Sequence, residues 1–129
     1  MTELASAPVH LERRWTFNKL ASLSRPQRAA VIRGVRKRAA MSWDDVEPPS
    51  WRDDGVVYEV RTAWRDAAMP DTDGIAWMAK AMLDGAVDAG IIGDDSPDIV
   101  ARVVLHRPVR WPTLDSAGVV YGIFKPAVQ

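Results

Sequence analysis

The chain has no cysteine among its 129 residues, which excludes disulfides, thiolate zinc sites and cysteine nucleophiles. No stretch approaches the roughly 18 uninterrupted apolar residues that a membrane-spanning helix needs. The opening segment MTELASAPVHLERR lacks the apolar run of a signal peptide. A cytoplasmic protein without a membrane partner is therefore expected. Phosphate-binding and nucleophile motifs are missing too: there is no GxGxxG, no Walker-type loop and no GxSxG. The two histidines, His10 and His106, stand alone with no metal-ligand partner at helical spacing. For His106 a structural role on a strand is expected. Net charge is absent as well, with 17 Lys and Arg balancing 17 Asp and Glu.

What is present is a chain long enough for one domain, spanning residues 1–129, with an ordinary globular composition of 47% apolar and 26% charged residues. The neutral total hides opposite blocks. Residues 1–41 hold nine Lys and Arg against Glu3 and Glu12, a balance of +7. Residues 42–100 hold four against fourteen Asp and Glu, a balance of −10, and residues 101–129 return +3. Two readings follow: a basic surface for an anionic polymer beside an acidic cation site, or blocks that neutralise one another in the fold.

The first strong element is a helix over about 25–41. Ser24 is a good N-cap, Gln27 completes a capping box, and Pro26 falls where its missing N–H is harmless. Val31, Ile32, Val35 and Ala39 make an apolar stripe, while Arg25, Arg33, Arg36 and Lys37 form a basic ridge on another face. The segment 43–55, with two prolines and a glycine, reads as a loop. VVYEVRTAW then alternates, with Val56, Tyr58, Val60 and Trp64 on one side and Glu59, Arg61 and Arg65 on the other, as a half-buried strand.

A second helix is expected over about 74–89, ending at Gly90. Ile75, Met78, Ala79, Met82 and Ala86 face its core, and Asp73, Trp77, Lys80, Asp84 and Asp88 lie opposite. Gly85 inside it lowers helix stability by about 1 kcal/mol relative to Ala, which points to a close packing contact. Segments 99–106 and 118–124 read as strands joined by a long hairpin loop, and a short strand is expected near Val9. The order suggests an α+β fold, a small mixed β-sheet packed against two main helices.

Carboxylates gather around the second helix: Asp71 and Asp73 in PDTDG before it, Asp94 and Asp95 in GDD after it. Such oxygens are the ligands Mg²⁺ prefers, and a metal held there would serve phosphodiester hydrolysis. Lys80, seven residues beyond Asp73, lies on the same face, and its side chain is expected to lean back toward the aspartates. The plainer alternative makes Asp73 the helix N-cap and pairs Lys80 with Asp84. An EF-hand frame fails, because its first and last ligand positions would be Met69 and Lys80.

Residues 70–100, PDTDGIAWMAKAMLDGAVDAGIIGDDSPDIV, resemble the signature of RusA-like Holliday junction resolvases, above all those of actinobacterial phages. That pattern is a DxDN entering a helix, a lysine within it, a DGLVDAG-like stretch and then a DD pair. The resemblance covers about a quarter of the chain. It implies that Asp71, Asp73 and Asp95 bind Mg²⁺, for which Mn²⁺ can substitute, with Asp94 as a further ligand candidate. Lys80 would be the catalytic lysine, placed as in the phage branch rather than one turn into the helix. Gly74 departs from the pattern, where the family usually has asparagine. The resemblance further implies a homodimer acting on branched DNA such as four-way junctions, in a phage or prophage setting. The ridge of Arg25, Arg33, Arg36 and Lys37 would then track phosphates, and Trp77 would stack on a base or pack in the core. Two rival functions remain from the residues: a catalytically inactive DNA-binding protein, and an acidic-faced protein-interaction domain.

Overall fold

Chain entry into the longest helix follows local chemistry. Ser24 accepts from the Gln27 N–H at 3.3 Å, and the Gln27 side chain accepts from the Ser24 N–H at 3.0 Å, closing the capping box. The helix α2 (Arg25–Trp43) starts there, with a proline in its first turn. The computed structural model describes residues 4–12, 17–66 and 70–127. Its other elements are β1 (Ala5–Leu11), α1 (Phe17–Ala21), β2 (Val56–Trp64), α3 (Thr72–Asp88), β3 (Val100–Leu105), β4 (Val109–Arg110) and β5 (Gly118–Pro126).

The fold is α+β, a mixed sheet of five strands with two long helices, as the periodicities predict. Strands run in the order β1-β5-β2-β3, with β4 also on β2. β2 lies at the centre. It is antiparallel to β5 on one side and parallel to β3 and β4 on the other. The expected hairpin between the third and fifth strands does not form. α3 carries the chain across to the free edge of β2, which is the connection a parallel pair requires. β5 instead inserts between β1 and β2.

Central placement also changes what β2 buries. Alternation predicts a half-buried strand, yet only Arg61 of its nine residues is exposed. Tyr58 points toward the helices and donates to the Ala79 carbonyl at 2.8 Å. It stacks on Phe124 at 4.8 Å, and Trp43 meets Phe124 at 5.2 Å. Trp43 belongs to the last turn of α2 rather than to the following loop, and is fully buried.

α3 begins two residues earlier than the sequence suggests, because Asp71, not Asp73, is its N-cap. Ile75, Met78, Ala79, Met82 and Ala86 are all buried. Each large side chain among them contributes about 1.5–3 kcal/mol of apolar burial. At Gly85 a Cβ would lie 2.6 Å from the Ala39 Cβ and 2.8 Å from the Arg36 carbonyl, so only glycine lets α2 and α3 cross so closely. Gly90 ends α3 with φ +76°, a left-handed turn beyond the C-cap.

The outer edge of β1 is covered by α2. Ser42 Oγ donates to the Pro8 carbonyl at 2.5 Å and Arg38 to the His10 carbonyl at 3.2 Å. These bonds occupy acceptors that would otherwise template a further strand. Among the described residues no helix is long and apolar enough to cross a membrane.

Candidate functional site

The acidic segment is organised by α3. At its start, Asp71 has extended backbone (φ −79°, ψ −177°), and its Oδ1 accepts from the Gly74 N–H at 2.9 Å. Gly74 is buried, while Asp71 and Asp73 are exposed. The preceding residues 67–69 lie outside the described part. The capping role that the plainer alternative gave to Asp73 thus falls to Asp71, and Asp73 follows in the first turn.

Two turns further on, Lys80 forms the centre of a charged cluster. Its ammonium donates to Asp84 Oδ1 at 2.9 Å and also pairs with Asp95, fifteen residues along the chain. The lean toward Asp71 and Asp73 expected from helix geometry is not what the side chain does. Two carboxylates attract it, one on the next turn and one on the returning loop, and a flexible four-carbon stem reaches both. Asp94 Oδ1 accepts from the Asp95 N–H at 2.8 Å, which fixes the backbone that presents Asp95. Hydrogen bonding to Lys80 holds the Asp95 carboxyl below the usual carboxylate range, and bonds to Asp95 and Asp84 raise the lysine.

The structure therefore joins Lys80 to Asp95 and sets Asp94 beside them, while Asp71 and Asp73 remain at the start of the helix. Among the described residues, no three His, Asp or Glu side chains gather into a set that could hold a metal ion.

The basic ridge is divided as well. Arg36 makes a bidentate pair with Asp88, at 2.7 and 2.8 Å, which ties α2 to α3. Through that bond the Asp88 carboxyl is held low. Arg33 and Lys37 are exposed and line a wide groove beside this pair, about 570 Å³ in volume. Arg25, at the first position of α2, is exposed. Trp77 is half-buried and packs against the hydrophobic core.

A second cluster has no counterpart in the sequence reading. Glu59, on central strand β2, is buried, yet it pairs with Lys125 of β5 through one carboxylate oxygen and with His106 through the other. Hydrogen bonds from Lys125 and then His106 hold the Glu59 carboxyl below its ordinary value, against the opposing effect of burial. Alternation along β2 carries no signal for this cluster, because Lys125 of β5 and His106, just past the end of β3, are brought to Glu59 only by nonlocal strand pairing.

A search of protein-family models finds none that matches the chain, and no curated protein matches it at a significant level.

Proposed function

We propose that the chain is a Mg²⁺-dependent, structure-specific endodeoxyribonuclease that cuts branched DNA by phosphodiester hydrolysis, in phage or prophage DNA processing. The observation that carries this reading is the contact between Lys80 and Asp95. It unites the helix that follows the DxD with the distant GDD segment, and capping of α3 alone requires no such contact. These are the residues that carry the RusA-like resemblance.

The donor chemistry fits Mg²⁺, a hard cation that binds through one or two carboxylates and completes its shell with waters and substrate phosphates. Asp71 and Asp73 would hold it, with Asp95 and Asp94 as the further candidates. When bound, the ion supplies charge stabilisation at the phosphate and a more acidic water. The protein's own part is positional. The exposed Asp71 and Asp73 mark where the scissile phosphate approaches. Lys80, kept protonated by Asp84 and Asp95, provides a cation for the leaving oxygen. The exposed Arg25, Arg33 and Lys37 extend a cationic surface along α2 for flanking phosphates. A twofold homodimer would supply the two nicks that a four-way junction needs.

The test is cleavage of a synthetic four-way junction with Mg²⁺ by wild type and by Asp73→Asn. Nicking by the wild type that falls at least about 100-fold in the variant is expected, in line with the loss of a group that acts at the transition state. Equal activity in both removes the assigned site. A second reading, a junction-binding protein without cleavage, is favoured by Gly74, which offers no side chain where the family has asparagine. Tight binding with no nicking in either Mg²⁺ or Mn²⁺ selects it.

A further inference from the structure

α3 and β3 lie side by side and leave a trough between them. Its inner section, about 150 Å³, is walled by Ala76, Ala79 and Leu83 of α3 and by Val103 and Leu105 of β3, with Lys80 at its rim. Tyr58 lies against it, and the Tyr58 hydroxyl is already donated to the Ala79 carbonyl, so this section is apolar. Leu105 also lines an adjoining cleft of about 320 Å³, where Thr72 and Ile75 of α3 meet His106 and Arg107 beyond the end of β3. Leu105 is common to both hollows, which sets an apolar recess beside one that Arg107 makes cationic.

Three features mark it as a binding site rather than a packing defect. Val103 is 49% exposed at the rim, an apolar side chain left for something to cover. Arg107 is exposed and makes no ion pair among the described residues. His106 beside it is held by Glu59, whose charge is in turn matched by Lys125, so the cationic end has a braced wall. An apolar slot that ends in an unpaired guanidinium fits a ligand with a flat, stacking body and one anionic group. A single nucleotide has both.

We propose that this trough seats an unpaired nucleotide of the DNA, with its base against Ala76, Ala79, Val103 and Leu105 and its phosphate on Arg107. The inference rests on the nuclease reading above and adds how branched DNA is told from plain duplex. A base already unstacked at a branch enters the trough without the penalty of leaving a helix. Thr72, at the mouth, stands between Asp71 and Asp73, so a nucleotide seated here lies next to the DxD pair.

The experiment is a methyl and imidazole NMR titration of the full chain with a short oligodeoxythymidylate, without divalent metal so that no cleavage intervenes. Saturable shifts at Val103, Leu105 and His106 are expected. An oligonucleotide with abasic spacers should keep the His106 shift and lose those of the methyl groups. Arg107→Ala should weaken binding about tenfold, the loss of one charge-assisted contact, and Arg107→Lys should restore part of it. The proposal is overturned if shifts stay confined to α2, if the abasic ligand behaves like the thymidylate, or if Arg107→Ala binds unchanged. It is also overturned if the same methyl groups shift with protein concentration alone, which would make a second copy the occupant. Wild type that fills the trough but fails to nick a junction removes the nuclease reading and leaves this one. Wild type that nicks without filling the trough does the reverse.

Discussion

Two clusters, each of three ionisable side chains, are opposites in composition. In one, a single carboxylate, Glu59, is shared by His106 and Lys125. In the other, a single ammonium, Lys80, is shared by Asp84 and Asp95. They differ most in exposure: the Glu59 side chain is 10% accessible and that of Lys80 is 58%. A buried charge is strongly disfavoured unless its partners remain, whereas an exposed pair contributes little to stability. The Glu59 cluster therefore belongs to the fold. The Lys80 cluster is open to solvent and to a ligand, at the place where the DxD helix meets the GDD loop.

The largest effect that would break this comparison is expected at Glu59. Glu59→Ala leaves Lys125 and His106 without their shared acceptor and should lower unfolding free energy by about 2 kcal/mol, as read by urea denaturation. A loss within about 0.5 kcal/mol would place Glu59 with ordinary surface residues.

The acid limb of stability should separate the clusters next. The folded Glu59 carboxyl lies below its ordinary 4.5, so its contribution is complete above that value. It then disappears as pH falls through the lower folded value. Wild-type stability should thus drop more steeply below about pH 4.5 than that of Glu59→Gln, in urea midpoints taken across the acid range. The Asp95 carboxyl is depressed in the same direction by Lys80. Because it is more exposed, Asp95→Asn should flatten the same limb by less. A larger change for Asp95→Asn than for Glu59→Gln would invert the assignment.

Smaller again is the stability change for Lys80→Met, expected within about 1 kcal/mol. The smallest should be the salt response of that exposed network. Raising salt to about 1 M shortens the Debye length to about 3 Å and should remove most of the difference between Lys80→Met and wild type, while leaving the Glu59→Ala difference largely intact.

Local signals carried the helices well. The Ser24 capping box, the proline after it, the buried stripe of α3 and the close crossing at Gly85 are each read from a few adjacent residues. Strand order was not legible. β3 and β5 look like the two arms of a hairpin until one knows that β5 also pairs with β1 and that α3 has carried β3 to the far side of β2. The burial of Glu59 follows from that nonlocal order, since Lys125 arrives on β5 and His106 just after β3. At the candidate site, spacing suggested Asp71, Asp73, Lys80 and Asp95 as one group, and the side chains that meet are Lys80 and Asp95. Spacing did not show that Lys80 would turn to Asp84 and Asp95, because the choice among competing carboxylates depends on where the loop after α3 returns.

In the proposed nuclease, the exposed Lys80 face rather than the buried Glu59 cluster would supply the chemistry. The most direct measurement is the nicking rate of a four-way junction in Mg²⁺ by wild type and Lys80→Met, each first shown to be folded by its melting curve. The account predicts a measurable rate for wild type and a loss of at least about 100-fold in the variant at nearly unchanged stability. Equal rates from two folded proteins, or no nicking by wild type, would contradict it.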